Sequence, residues 1–110
     1  MNRDYFRTLK ILDGGLGQEL LSRGVKAKGT LWSASALIEE KYHELLIKTH
    51  LDYIKAGADV ITTNTFATRR IRLKENRALG LFKELNELAG KLAIKARHLS
   101  KKNVLIAGSL

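Results

Sequence analysis

The sequence predicts an α/β fold with a parallel sheet, and three observations support this. Short apolar segments with β-branched residues lie at residues 9–13, 58–66 and 103–110. Amphipathic helical patterns separate these segments. Both connections are much longer than the roughly dozen residues that a parallel crossover needs. We therefore predict the element order β-α-β-α-β.

The first predicted strand, residues 9–13, ends in an acid and leads into a glycine-rich turn. The apolar residues before Asp13 are typical of a buried strand. Gly14, Gly15 and Gly17 permit a ligand to approach the backbone closely. In the simpler interpretation, Asp13 caps the following helix and the glycines only form the turn.

Four helices are predicted between the strands, because apolar residues recur there at three- and four-residue steps. Gly24 and Gly57 each follow such a stretch and are expected to end it. The segment around Trp32, the only tryptophan, has neither period and is expected to be an irregular connection. The predicted helices cover residues 15–23, 38–56, 69–74 and 76–99, and a short turn or helix is expected at residues 1–8.

Composition restricts the function classes. The sequence contains no cysteine, so this chain can form no disulfide and offers no thiolate as nucleophile or metal ligand. It contains no secretory signal and no run of about 18 apolar residues, so we expect a cytoplasmic protein without a membrane span. His43 and His50 are two helical turns apart, too far to share one metal ion, and with His98 they are expected in helix surfaces or helix packing.

The formal net charge of +9 raises the question of an anionic partner such as a nucleic acid. The basic residues, however, are spread along the chain and mixed with glutamates. The densest basic cluster has no interleaved aromatic residues, and the sequence carries no nucleic-acid-binding motif. We therefore expect no specific nucleic-acid binding. The cluster consists of Arg69, Arg70, Arg72, Lys74 and Arg77.

The carboxyl ends of the three predicted strands carry polar groups. Asp13, Gly14 and Gly15 lie at the end of the first, residues 63–65 at the end of the second, and residues 108–109 at the end of the third. Because the carboxyl ends of parallel strands meet at one edge of a sheet, these groups are expected to face the same side. A carboxylate can bind an ammonium group and glycine N–H groups can bind a carboxylate, so the set suits a small zwitterion. Each group alone is more often a cap or turn residue, and only the combination indicates a ligand site.

A dinucleotide-binding loop is a second interpretation of the glycine-rich turn. Residues 15–17 begin like a G-x-G-x-x-G motif between a strand and a helix, but Leu20 stands where the third glycine is needed. The second strand ends in Thr-Asn-Thr and not in the acid that would bind a ribose. The sequence therefore argues against this interpretation.

Four segments, in order along the chain, resemble the homocysteine S-methyltransferases, a family that includes betaine-homocysteine methyltransferase and the homocysteine domain of cobalamin-dependent methionine synthase. Four such matches in register are much more specific than any one alone. The segments are Leu12-Asp-Gly-Gly-Leu-Gly-Gln-Glu-Leu20, Leu31-Trp-Ser-Ala34, His50-x-x-Tyr53-x-x-Ala56-Gly-Ala-Asp59 with Val60-Ile-Thr-Thr-Asn-Thr-Phe66, and Ile106-Ala-Gly-Ser109.

The resemblance implies a (β/α)₈ TIM barrel in which a zinc ion holds homocysteine as a thiolate for attack on a methyl donor, giving methionine. Carried over residue by residue, it implies that Asp13 binds the substrate ammonium group and that the backbone of Gly14 and Gly15 binds its carboxylate. Thr65 is expected to line the same pocket. The family's zinc ligands are cysteines from later strands, and this chain has none. No catalytic residue and no metal ligand is therefore expected here.

The resemblance thus predicts that residues 1–110 form a partial barrel domain with about three of the eight strands. In this interpretation the chain is a truncated N-terminal part that binds homocysteine and is inactive alone. The expected partner is a complementing C-terminal chain or a second copy. The alternative is a non-enzymatic basic α/β remnant that binds an anion, a nucleic acid or a partner protein.

Overall fold

The computed structural model describes residues 3–109 and has an α/β architecture, with helices packed against a small parallel sheet. Strands β1 (Val60–Thr62) and β2 (Leu105–Ala107) pair in parallel, with Val60 opposite Leu105. The helices are α1 (Leu16–Ser22), α2 (Ser35–Ile38), α3 (His43–Lys55), α4 (Arg70–Glu75) and α5 (Phe82–Ser100). Short 3₁₀ helices cover Arg3–Arg7, Gly29–Ala34, Glu40–Tyr42 and Leu79–Leu81.

The first predicted strand is reduced to a single parallel bridge between Leu12 and Val60. The Asp13 N–H donates to the Val60 carbonyl at 2.9 Å, so the segment still lies beside β1. The Ile11 N–H donates to the Asp59 carboxylate at 2.8 Å instead of to a backbone carbonyl, and the regular ladder stops there. The prediction of a buried strand is wrong here, because Ile11 and Leu12 are 55% and 65% exposed. The predicted three-strand sheet is therefore two strands and one bridge.

Strand β1 is shorter than the predicted segment 58–66 because its polar end folds back as a turn. The Thr63 N–H makes the last sheet contact, with the Ala107 carbonyl at 2.8 Å. The Thr65 N–H then donates to the Thr63 carbonyl at 2.8 Å, and the Thr68 N–H donates to the Thr65 carbonyl at 3.3 Å. Residues 63–68 thus form a loop at the carboxyl end of the sheet, called the strand-end loop below.

The predicted ends of α1 and α3 are confirmed, since Gly24 and Gly57 follow them with φ of 109° and 114°. The starts of the two long helices are later than predicted. Glu39 is extended, with φ −97° and ψ 112°, and separates α2 from the 3₁₀ turn that leads into α3. Arg77 has φ 57°, which breaks the helical path before α5.

Two apolar clusters hold these elements together. The smaller cluster joins α3 and α5 to the sheet, and the larger one joins all five α-helices. Full burial of one such side chain contributes roughly 1.5–3 kcal/mol. No helix within residues 3–109 is long and apolar enough to cross a membrane. The smaller cluster consists of Ile54, Ala58, Ile61, Ala93 and Val104, and the larger one includes Leu20, Leu37, Leu46, Leu73 and Leu85.

Candidate functional site

A cavity of about 280 Å³ lies at the carboxyl end of the sheet. It is bounded by the glycine loop (residues 14–17), by the segment around Trp32 and by the strand-end loop. This volume suits a small molecule, since sites for drug-sized ligands are typically about 300–1,000 Å³. The lining residues are Gly14, Gly15, Leu16, Gly17, Gln18, Trp32, Ser33, Thr62, Thr63, Asn64, Phe66 and Ser109.

The backbone of Gly14 and Gly15, which line this cavity, carries two N–H groups that are free of partners within residues 3–109. Their carbonyl groups are used, since Gly14 C=O accepts from the Leu16 N–H at 2.9 Å and Gly15 C=O accepts from the Glu19 N–H at 3.0 Å. Within residues 3–109, the N–H groups of Gly14 and Gly15 have no hydrogen-bond partner. Both glycines are exposed, so an anionic group can reach these donors.

The Asp13 carboxylate lies behind the cavity wall and is bonded to strand β1. Its Oδ2 accepts from the Thr62 N–H at 2.8 Å, and its Oδ1 accepts from the Thr62 hydroxyl at 3.1 Å. Thr62 lines the cavity and Asp13 itself does not. A carboxylate has about four acceptor positions, so two hydrogen bonds leave it able to accept more.

Thr65 does not line the cavity either, but it bonds to two residues that do. Its Oγ1 accepts from the Ser109 N–H at 3.1 Å and is 2.9 Å from the Thr63 hydroxyl. Ser109 and Thr63 line the cavity. Thr65 therefore joins the strand-end loop to the segment that follows β2. Of the four predicted site residues, the structure places Gly14 and Gly15 in the wall and places Asp13 and Thr65 behind it.

Trp32 forms one wall of the cavity in a strained backbone conformation. It has φ 48° and ψ −124°, a combination that non-glycine residues rarely adopt. Its ring meets that of Phe66 edge-on at 6.2 Å. A Cβ added at Gly17 would lie 2.8 Å from Trp32 Cζ3, so the ring is in close contact with the glycine loop.

Two asparagines fix the loops around the cavity. Asn64 is buried and donates from Nδ2 to the Ser33 carbonyl at 2.9 Å, which joins the strand-end loop to the Trp32 segment. Asn86 on α5 donates to the carbonyls of Thr68 and Phe82 at 3.1 and 2.7 Å. It also accepts from the Thr68 hydroxyl at 2.7 Å. These contacts hold the cavity's rim in place.

The predicted site omitted Trp32 and Phe66, although they form its aromatic wall. The sequence carried one signal, since Trp32 is the only tryptophan and lies in a segment without helical or strand periodicity. The strained conformation that brings its ring to the cavity is set by tertiary contacts and has no sequence signature.

The residues present do not fit the zinc site that the resemblance implies. That site needs cysteine thiolates, and the sequence has no cysteine. Within residues 3–109, no group of three His, Asp or Glu side chains lies close enough together to hold a metal ion. No step that uses a metal is therefore assigned to residues of this chain.

The three histidines lie in separate environments. His43 Nε2 is 2.7 Å from the Leu37 carbonyl, and His98 is exposed near the end of α5. His50 on α3 is fully buried, and neither ring nitrogen has a hydrogen-bond partner within the described chain. Burial lowers the pKa of His50 to about 4, so the ring is neutral at physiological pH.

Comparison with known proteins identifies the family. The model of the family "Homocysteine S-methyltransferase" matches residues 10–110, which is nearly the whole chain. The chain belongs to the homocysteine S-methyltransferase family. The match includes the glycine loop, the Trp32 segment and the strand-end loop, so all three parts of the cavity wall lie within the matched residues.

Homocysteine S-methyltransferases from distant organisms are similar to the chain. It is 34% identical to homocysteine S-methyltransferase 2 of Zea mays over 91% of its own length, and 35% identical to the homocysteine S-methyltransferase of Escherichia coli over 91%. These alignments cover 32% and 34% of the two relatives, so the chain spans about a third of their length.

A solved structure has a similar fold. The metallated form of the homocysteine methyltransferase MmuM from Escherichia coli superposes with a TM-score of 0.79 at 32% identity. The superposition covers 98% of this chain and 40% of the other. The α/β fold described above is therefore similar to part of a homocysteine methyltransferase barrel.

Proposed function

We propose that this chain forms the amino-acid-binding part of a homocysteine S-methyltransferase and binds homocysteine in the cavity at the carboxyl end of the sheet. The observation that carries the proposal is the pair of free N–H groups on Gly14 and Gly15, next in sequence to the Asp13 carboxylate. A carboxylate and two N–H donors are thus available to the two charged ends of a zwitterion within three consecutive residues.

The carboxylate, ammonium and methylene groups of homocysteine each have a partner in this arrangement. The substrate carboxylate binds the N–H groups of Gly14 and Gly15. The substrate ammonium group binds Asp13, whose carboxylate keeps free acceptor positions beside its two bonds to Thr62. The apolar methylene groups pack on the wall formed by Trp32 and Phe66. Thr65 supports the site through its bond to Ser109.

Methyl transfer needs the homocysteine thiol in its ionised form, and thiols ionise only in part near neutral pH. A zinc ion held by cysteine thiolates would supply that activation. Since this sequence contains no cysteine, we propose that the 110 residues bind homocysteine but do not catalyse the transfer. The zinc ligands would come from residues outside these 110, on the same or on a complementing chain.

The exposed apolar side chains near the β-bridge between Leu12 and Val60 form the surface that a complementing chain would cover. Leu9 is 91% exposed and Leu12 is 65% exposed. Uncovered apolar surface next to an unpaired sheet edge favours association, either with a complementing chain or with a second copy.

Calorimetric titration with homocysteine tests the binding proposal. We expect the native chain to bind and Asp13→Ala to weaken binding at least about tenfold, the usual loss for a charged contact. Glu84→Ala, which removes an exposed acid on α5, is the matched control and should bind as the native chain does. Absence of binding by the native chain would contradict the proposal. Salt-sensitive RNA binding that is indifferent to Asp13 would instead favour a basic binding protein.

A methyl-transfer assay tests the inactivity of the chain. The 110-residue chain is supplied with Zn²⁺, homocysteine and a methyl donor, and methionine is measured. We expect no turnover above the uncatalysed rate. Turnover by this chain alone would show that thiol activation does not need cysteine ligands.

A further inference from the structure

The side chain of Tyr53, in the last turn of α3, contacts the glycine loop at Gly14. A Cβ added at Gly14 would lie 3.2 Å from both Cε1 and Oη of Tyr53. This is closer than an ordinary van der Waals contact between carbon atoms, which is about 3.5–4.0 Å. The phenol ring therefore occupies the space beside the Gly14 α-carbon, where a side chain would lie, and is in contact with the loop backbone.

The core also contacts this ring. Tyr53 is half-buried and packs against both apolar clusters, which hold α3 to the sheet and to the other helices. Its carbonyl accepts from the Ala58 N–H at 3.1 Å, which fixes its backbone at the helix end. These contacts restrict the movement of the Tyr53 side chain.

The contact between Tyr53 and the loop consists of van der Waals packing, without a hydrogen bond. Within residues 3–109 the Tyr53 hydroxyl has no hydrogen-bond partner. Burial raises the pKa of Tyr53, and the negative charges of Glu19 and Asp13 raise it further, so the phenol stays neutral beside the loop. The contact between Tyr53 and Gly14 is therefore a packing contact and not a hydrogen bond.

The neighbouring glycines are supported differently. At Gly15 the nearest atom to an added Cβ is 3.8 Å away, on Gln18, an ordinary contact. At Gly17 the close neighbour is Trp32, on the cavity side. Of these three glycines, Gly14 is thus the one whose α-carbon lies against Tyr53.

We propose that Tyr53 is a positioning residue that holds the backbone of Gly14 and Gly15 in the conformation that presents their N–H groups to a substrate carboxylate. The role in binding rests on the proposed function, whereas the restraint on the loop exists without ligand. The ring contact predicts that phenylalanine can replace Tyr53 and that an aliphatic side chain cannot.

The test uses Tyr53→Leu, Tyr53→Phe and a matched control, Tyr42→Leu. Tyr42 is also half-buried and packs on the larger cluster, but its hydroxyl accepts from the Lys26 N–H at 3.3 Å. The first readout is hydrogen exchange of the Leu16 amide, which is bonded to the Gly14 carbonyl and reports on the loop. The second readout is the affinity for homocysteine by calorimetry.

We expect Tyr53→Leu to speed Leu16 exchange about tenfold or more and to weaken homocysteine about tenfold. Tyr53→Phe should restore both to within about twofold of the native chain, which a role of the hydroxyl would not allow. Tyr42→Leu should leave Leu16 exchange unchanged. Native exchange in Tyr53→Leu, or equal acceleration in Tyr42→Leu, would overturn the proposal.

The two readouts separate this proposal from the proposed function. If the native chain does not bind homocysteine, the proposed function fails and the exchange data still decide the role of Tyr53. If Tyr53→Leu does not fold, Gly14→Ala serves as the second variant, because its added methyl group would be too close to the Tyr53 ring. We expect faster Leu16 exchange in Gly14→Ala, and exchange at the native rate would overturn the proposal.

Discussion

Asp13 and Thr62 are joined by two hydrogen bonds, from the Thr62 N–H to Oδ2 at 2.8 Å and from the Thr62 hydroxyl to Oδ1 at 3.1 Å. Asp13 precedes the glycine loop and Thr62 ends β1, so this pair joins the loop to the sheet beside a single β-bridge. The carboxylate thus has a structural role in addition to its proposed role in binding.

The first prediction concerns the stability that this pair contributes. Thr62→Val removes the hydroxyl bond and keeps the N–H bond, and should cost about 1 kcal/mol of unfolding free energy. Asp13→Ala removes both bonds and leaves the Thr62 N–H unpaired, and should cost about 2–3 kcal/mol. Urea unfolding measures both values. A smaller cost for Asp13→Ala than for Thr62→Val would contradict the role of the pair.

The second prediction concerns Gly17, which lies in α1 against the Trp32 ring. Alanine is favoured over glycine in a helix by about 1 kcal/mol, but a methyl group 2.8 Å from Trp32 Cζ3 would cost about 1–3 kcal/mol. Gly17→Ala should therefore be destabilising and should alter Trp32 fluorescence. Gly90→Ala in α5, where an added Cβ meets no atom within 4 Å, is the control and should stabilise. Stabilisation by both variants would show that the Trp32 ring moves away from the added methyl group at little cost in free energy.

The third prediction concerns pH. The pKa of His50 is about 4 in the folded chain, against about 6.5 when unfolded, so the unfolded state binds a proton first as the pH falls. Its contribution to stability is present above about pH 6.5 and is lost between about pH 6.5 and pH 4. Between about pH 7 and pH 5 the free energy of unfolding should fall by about 2 kcal/mol because of His50.

Thermal unfolding at the two pH values measures this loss. His50→Leu should reduce the pH dependence by that amount, whereas His98→Gln, at an exposed position, should leave it as in the native chain. An equal pH dependence in His50→Leu and the native chain would place the titrating group elsewhere.

The fourth prediction concerns Asn86, which bonds the buried Thr68 at the base of the strand-end loop. Asn86→Ala leaves the Thr68 hydroxyl without this acceptor and should cost about 2 kcal/mol. Asn76→Ala is the control, because its bonds to Thr30 and Arg72 lie nearer the surface. It should cost less than about 1 kcal/mol. Equal costs in chemical denaturation would show that Asn86 does not hold the loop.

The sequence predicted the parts of the fold that depend on local pattern. Glycines ended α1 and α3 where expected, because the left-handed φ at Gly24 and Gly57 is a local requirement. The parallel pairing of β1 and β2 followed from the order of strands and long crossovers. The resemblance through residues 12–20 and 60–66 predicted the family that the comparisons then identified.

The rest depended on long-range contacts that have no local pattern. The apolar residues Ile11 and Leu12 predicted a buried strand, but the pairing and burial of a strand depend on its neighbours. Asn64 and Thr65 lay in the predicted strand, yet their side chains bond to the Ser33 carbonyl and to the Ser109 N–H, far away in sequence. The backbone of Trp32 is strained for the same reason.

An NMR titration of the ¹⁵N-labelled chain with homocysteine tests the central claim most directly. The amide resonances of Gly14 and Gly15 should shift in proportion to bound homocysteine, because their free N–H groups would bind its carboxylate. The amides of Gly24 and Gly57, at the ends of α1 and α3, should not move. Unchanged Gly14 and Gly15 resonances at saturating homocysteine, or equal shifts at all four glycines, would contradict the proposed site.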